Sequence, residues 1–590
     1  MHSARFTAAP LAFVVLSLPV AAQWSKDPAA NTQLSDGAGS EVQPKLAATE
    51  GGSYLSFYDS DPAGSPAFGF DVKLQRLDPI GRPVWADGGV LVADRGYSST
   101  QDYGLDAGPG GDAWLAFRDD RFTGDQITAA RVAADGSLVW GEFGVQLTNT
   151  SAFVAAPKIA ALESGGCVVA WSEGSTVVLQ RLDGDGVPQW GAGLAVPAPA
   201  GTTLSLSDLR AAGGDTVIFS FISQSGGFFG PRHLRAQKLS IDGAPLWPGS
   251  GVDVFNTGSL QIGNFPDFTT DGSGGALFSW YSTSPLQCFA QRVLSDGTQV
   301  FGVPGTGAPV SDNAAQIRVN PSAAFDPTTG DSYVFWVEQN TLQSMDGIAG
   351  QRFDSAGNRQ WGANGIEYVP VGGQDLGQVR TVAGEGEATV LWMGGPGFGQ
   401  DEVFGLRVDA SGPGQHAIAT LASTPSSKDD LTAVGGPFGD VQAAWDGDEL
   451  GDSDVIAQNL LPSGNLGPAA GSLPRTAGTN VDSHDGTIGA LGATTELTLD
   501  LTTTGHAFGW VVAYAGSAAL PFGTDVILVD LSGPELLALP VQAGGLLTWS
   551  LPLPNDSSLC GAVVSTQGVH IDLALELRLS NALDVYLGLD

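Results

Sequence analysis

Lys45, Lys158, Asp267 and Arg380 each stand at the head of a short apolar run, in "PKLAAT", "PKIAAL", "DFTT" and "VRTVAG". If such runs are the innermost strands of neighbouring sheets, these charges meet in one channel. A second set recurs at one place in a repeated step: Arg76, Arg131, Arg181, Lys238, Arg292, Arg352 and Arg407, seven of only 25 basic residues. One copy per repeat favours pairing with a nearby carboxylate or turn carbonyl over a ring that grips a ligand. The acid-rich stretches "DGDELGDSD" (Asp446–Asp454) and "DGDG" (Asp183–Gly186) have oxygen ligands suited to calcium. Neither completes a calcium-loop pattern, and both read first as solvated turns.

The usual local constellations are missing. There is no G-x-S-x-G, no H-E-x-x-H and no phosphate-binding loop. His233, His416, His484, His506 and His570 share no spacing, and Cys167, Cys288 and Cys560 are scattered. The cysteines exclude a disulfide framework, and Cys167 in "GGCVVAW" reads as a buried small hydrophobe. No residue is therefore assigned a catalytic, cofactor-binding or metal-binding role, and the ligand-binding residues stay open.

The elements that would carry such residues are repeated. Gly81, Gly136, Gly186, Gly243, Gly297, Gly357, Gly412 and Gly464 recur at intervals of 50–60 residues. Each follows a step such as "LQRLD" or "GQRFD". Before that step lies an apolar strand with an aromatic residue: Phe57, Phe117, Trp171, Phe221, Trp280, Trp336, Trp392 or Trp445. Four residues beyond the glycine stands Trp85, Trp140, Trp190, Trp247 or Trp361, with Phe301 in the fifth unit and no tryptophan in the last two. The segments are short, β-branched and bounded by Gly turns, and no period of 3.6 is sustained. Four short strands per unit predict a β-propeller blade, and eight units predict an eight-bladed β-propeller over 23–474. The last unit lacks its tryptophan, so Trp24–Ser35 is expected to supply the outer strand of the eighth blade. After a linker at 475–482, strands separated by Gly, Pro and Asn predict a small antiparallel β-sandwich over 483–590.

Residues 1–22 read as an export signal: Arg5, the apolar "LAFVVLSLPV", and small residues before Gln23. No later run is long enough for a transmembrane segment. There are 62 acidic residues against 25 basic ones, a net charge of −37. That charge disfavours nucleic acid and anionic lipid as partners. A secreted monomer, extracellular or at the cell surface, is expected.

The units "DGSGGALFSW", "AQRVLSDG" and "NRQWGANGI" resemble a family of exported bacterial repeat proteins, over about three quarters of the chain. That resemblance implies export and a propeller-like fold, with no activity attached. The Gly357-to-Trp361 step is similar to the packing motif of quinoprotein propellers. The Asp-to-Gly distance is shorter here, the Thr is missing and no adjacent cysteine pair exists, so no cofactor is expected. "SIDGAPLW" (Ser240–Trp247) is similar to the Asp box of sialidases, with its Gly displaced. The end of the chain, with "LSNALDVYLG", resembles small C-terminal domains of large secreted bacterial proteins. With no catalytic motif in view, the sequence points to a non-enzymatic binding or interaction protein for a glycan or protein ligand. The alternative is a carbohydrate-active enzyme, a hydrolase or lyase with acids around the channel. A structural role at the cell surface is a third reading.

Overall fold

The computed structural model describes residues 23–589 apart from 36, 38, 61–68, 87, 97–101, 398, 450 and 488. The expected export signal, 1–22, lies outside the described residues. The chain divides into two compact units, Trp24–Gly467 and Pro468–Asp590. Among the described residues the only helical element is one 3-10 turn, Ser557–Leu559. None of their helices is long and apolar enough to cross a membrane.

The first unit is built from eight four-stranded antiparallel sheets. Seven are simple meanders: Glu41–Ala93, Gly104–Gln146, Val154–Ala195, Thr202–Phe255, Phe268–Pro309, Ile317–Gly372 and Asp375–Ser426. The eighth contains Lys428–Gly435, Val441–Gly447 and Asp454–Leu460, and its fourth strand is Thr32–Gln33 from the other end of the chain. Thr32 pairs with Ala457 and Gln33 with Ile456. This is the all-β, propeller-type architecture of repeated sheets.

The repeated residues explain how the sheets pack. The eight aromatics of the second strands, Phe57 to Trp445, are all buried. The tryptophan after each turn glycine reaches into the following sheet. Trp85, Trp140, Trp190, Trp247 and Trp361 donate their indole N–H to Ala134, Gly184, Ile241, Ser295 and Ala410, at 3.1–3.2 Å. Each acceptor lies two residues before the next repeat's turn glycine. At Gly412 the glycine is required twice over. Its φ is +101°, and a Cβ there would come within 2.9 Å of the Trp361 indole nitrogen. Phe301 lies in the same way against Gly357, and His416 against Gly464. Trp24, 1% exposed, lies on Gly81 and donates to Pro79 O at 3.3 Å.

The Gln of the Q-R step has a separate task. The side-chain oxygens of Gln75, Gln180, Gln237, Gln291 and Gln351 accept the backbone N–H of the aromatic residue ten positions on, at 2.7–3.2 Å. The turn that carries each aromatic is thereby tied to its own third strand.

In the second unit a six-stranded antiparallel sheet contains Leu577–Tyr586, Val563–Ile571 and Phe508–Tyr514. A three-stranded sheet joins His484–Gly486, Thr494–Asp500 and Leu546–Pro552. Leu497, Leu499, Val511, Trp549, Leu583 and Val585 from both sheets form one buried cluster. The division between units falls ahead of the expected boundary at Pro474. Gly471–Arg475 is a strand of the second unit, paired with Leu577–Tyr586. The three cysteines are free and buried.

Trp361 fills a core with Tyr333, Phe335 and Trp392. Replacing it by alanine should lower stability by about 3–5 kcal/mol, from lost burial plus a residual cavity. Urea unfolding of Trp361→Ala checks this; a midpoint equal to that of the parent would contradict the packing role.

Candidate functional site

The first strands of all eight sheets line one cavity of about 690 Å³. All four channel candidates, Lys45, Lys158, Asp267 and Arg380, are on its wall. Asp102, Tyr103, Asp208, Arg210 and Asp430 join them, none of them singled out by the sequence.

A repeated irregularity delivers these side chains. The pairing of the first and second strands slips between Val42 and Lys45, Ala155 and Lys158, Val319 and Ser322, Gly377 and Arg380, and Asp429 and Thr432. Each slip contains a non-glycine residue in the left-handed region: Gln43, Ala156, Asn320, Gln378 or Asp430, with φ between 48° and 54°. Such a residue costs on the order of 1 kcal/mol or more, and bulges of this kind re-aim neighbouring side chains. Two positions on come Lys45, Lys158, Ser322, Arg380 and Thr432. The fourth sheet slips between Leu206 and Asp208 and presents Asp208 at the same level.

In the second sheet that level is occupied by Gly104. A Cβ there would come 2.7 Å from the backbone nitrogen of Ile159, so a side chain would hold the two strands apart. Asp102, two residues earlier, fills the space instead. It bonds Lys45 of the first sheet, Nζ to Oδ1 at 2.6 Å, and Lys158 of the third sheet through Oδ2. Tyr103 lies beneath this bridge. Its hydroxyl donates to Gln43 O at 2.9 Å, and its ring lies 5.0 Å from Lys45 Nζ. Further round, Arg210 pairs with Asp208 at 2.9 Å, and Gln378 Nε2 donates to Asp429 at 2.6 Å. Arg380 Nη1 donates to Val379 O at 2.9 Å.

The channel drives its carboxyl groups in opposite directions. Burial alone would raise Asp102, but Lys158 and Lys45 outweigh it and hold the carboxyl well below the usual carboxylate range. Burial pulls the Lys45 ammonium down. For Lys158 the same burial is overcome by Asp102 and Asp208, and the pKa rises. Burial, with Asp429 alongside, pushes Asp430 up to about 6. Asp446 rises to about 7 through burial and the charges of Asp430 and Asp429. The Asp446 carboxylate accepts the Gln43 N–H at 3.4 Å. One mouth therefore holds, in Asp102, a carboxylate kept ionised and, in Asp430, a carboxyl that keeps its proton up to about pH 6.

The other sequence candidates lie elsewhere. Arg131, Arg292, Arg352 and Arg407 pair with Asp112, Asp271, Asp331 and Glu387 in their own sheets. Arg76 and Lys238 donate to Ala134 O and Gly274 O in the next sheet. Arg181 is not on the cavity wall. Asp183 caps its own turn through the N–H groups of Asp185 and Val187. Among the described residues no group of three or more His, Cys, Asp or Glu could hold a metal ion. His484, His506 and His570 belong to the second unit. There His570 lies between Ser483 and Thr504 at 2.9 Å each, and burial pushes it down to about 4. The paired "QPKLAA" and "APKIAA" mark Lys45 and Lys158, but no such repeat marks Asp102, Tyr103, Asp208, Arg210 or Asp430.

No protein-family model matches the sequence, and no curated protein matches it. Several solved structures are similar to it. An ulvan lyase of a polysaccharide lyase family is 10% identical, covers 74% of this chain and 95% of its own, and gives a TM-score of 0.40. The Dos1 propeller is 11% identical over 73% of this chain and 95% of its own, with a TM-score of 0.39. An endo-arabinase from Bacteroides thetaiotaomicron is 13% identical over 41% of this chain and 88% of its own, with a TM-score of 0.26. At these identities the likeness is one of fold.

The expectation of a non-enzymatic binding protein is corrected here. The similar structures include a polysaccharide lyase and an endo-arabinase, where a non-enzymatic protein was expected. The expectation rested on the lack of a local motif. A channel takes one or two residues from each repeat, so its site leaves no contiguous signature.

Proposed function

We propose that this chain is a carbohydrate-active enzyme that cleaves glycosidic bonds in the channel. One observation carries the reading: Asp430, with a pKa pushed up to about 6, shares a channel mouth with the ionised Asp102. Bond cleavage between sugars needs that division of labour. Protonated Asp430 donates to the glycosidic oxygen as its bond to the ring carbon breaks. Water adds to that carbon and returns a proton to Asp430, while the Lys45–Asp102–Lys158 bridge fixes the charged wall beside it. Elimination would require free cations to neutralise a sugar carboxylate. Of the four described cations on this wall, Lys45 and Lys158 pair with Asp102 and Arg210 with Asp208, leaving Arg380 alone for that task, which favours hydrolysis.

The test is release of reducing ends from arabinan, galactan, xylan, mixed-linkage glucan and a uronate-containing polymer, with absorbance of unsaturated products read alongside. Only protonated Asp430 can donate, so turnover should fall about tenfold per pH unit above about 6. Asp430→Asn should lower kcat by about 10²–10⁴-fold. An Asp430→Asn variant as active as the parent, or unsaturated products accompanying the new reducing ends, would overturn the reading.

We also infer that the eight sheets form a closed eight-bladed propeller, with Thr32–Gln33 as the outer strand of the last blade. A small antiparallel sandwich would follow, on a chain exported by residues 1–22. The pairing of Thr32 with Ala457 and the seat of Trp24 on Gly81 support the closure. Deleting 24–35 should speed hydrogen exchange across Asp454–Leu460, now flanked on one side only. Unchanged protection there would contradict the closure.

A further inference from the structure

The most exposed large apolar side chain among the described residues is Phe229, 90% exposed, beside Phe228 at 69%. They stand at the tip of the loop joining Val217–Ser225 to Arg232–Leu239 in the fourth sheet. Their rings are edge-on to each other, with centroids 5.2 Å apart. Neither covers a core, so packing gives no reason for two phenylalanines here.

The loop is wired to the channel wall. Gln224 Nε2 donates to Phe228 O at 2.7 Å, and Gln224 Oε1 accepts from Arg232 Nη1 at 3.1 Å. The Arg232 guanidinium lies 5.2 Å from the centroid of Phe265, itself 46% exposed. Two residues after Phe265 comes Asp267, on the cavity wall. The strand order puts all of these at one end of the sheets. Loops between second and third strands leave at the end where the first strands begin. Asp267 and the bulge residues Gln43 and Asp430 lie at that same end.

We propose that Phe228, Phe229 and Phe265, braced by Arg232, form a stacking track that leads an electrically neutral polysaccharide to the channel mouth. The choice of occupant rests on the channel reading above. Sugar rings present flat C–H faces that lie against aromatic rings, and the track ends at the channel where such a chain would be cut. Charge selects the neutral class. At a net charge of −37 the protein repels polyanions and anionic membrane at long range.

Affinity electrophoresis in gels containing galactan, arabinan or mixed-linkage glucan tests the track independently of turnover. The wild type and Asp430→Asn should both be retarded by at least one of these polymers. A Phe228→Ala/Phe229→Ala variant should bind it about tenfold more weakly, as expected for a lost aromatic anchor, and melt at the parent's temperature. Phe265→Ala should weaken binding in the same direction. If no polymer is cleaved but retardation is present and lost in the double variant, the track stands while the hydrolase reading falls. Retardation equal in variant and parent, or absent from the wild type in all three gels, overturns the track. So does a double variant whose only loss is binding to phosphatidylcholine vesicles, or a dimer that becomes a monomer.

Discussion

The contact on which the first unit depends is the indole N–H of one repeat bonded to a turn carbonyl of the next. A four-stranded sheet has two faces and cannot cover either alone. The tryptophan after each turn glycine covers part of the neighbouring sheet, and its hydrogen bond sets the register between the two. Trp361, for example, meets Ala410 O with a side chain that also packs on Tyr333 and Phe335. Gln351 fixes the Trp361 backbone from below, so aromatic and turn move as one piece. Where the tryptophan is replaced, Phe301 and His416 keep the place over the next glycine. The eighth repeat has no successor in sequence, and Trp24 lies on Gly81 of the first.

That register is what brings distant residues into one channel. Asp102 reaches Lys45 and Lys158 only because the first three sheets are held at a fixed angle and Gly104 lets two strands approach. Strained left-handed residues at five first-strand bulges persist because the surrounding sheets over-determine them. The result is a small charged chamber inside a strongly acidic protein. Neighbouring charges and the enclosing walls together decide which carboxyl keeps its proton.

Much of this was legible in the sequence, for reasons tied to particular residues. Turn glycines, the Q-R step and the following tryptophan are local chemistry, repeated often enough to read the sheets directly. Lys45, Lys158, Asp267 and Arg380 could be placed on the channel because each begins an apolar run. Asp102 escaped notice because it precedes its strand, in a segment that resembles an ordinary loop. Asp430, in "SSKDDL", resembles a solvated turn until its burial beside Asp429 is seen. Local sequence does not announce that Gly471–Arg475 is a strand, because its partner lies about a hundred residues downstream. Function was the least legible part, since the relevant carboxyl groups lie more than 300 positions apart and become neighbours only through the sheets.

The most direct measurement of the central claim is a carbon-13 titration of carboxyl groups in aspartate-labelled protein, wild type against Asp430→Asn. The signal missing from the variant should titrate near pH 6. The signal lost in Asp102→Asn should stay in its ionised position down to the acid limit of folding. A midpoint near 4 for Asp430, the ordinary value for aspartate, would contradict the account, because the channel would then hold no proton to donate.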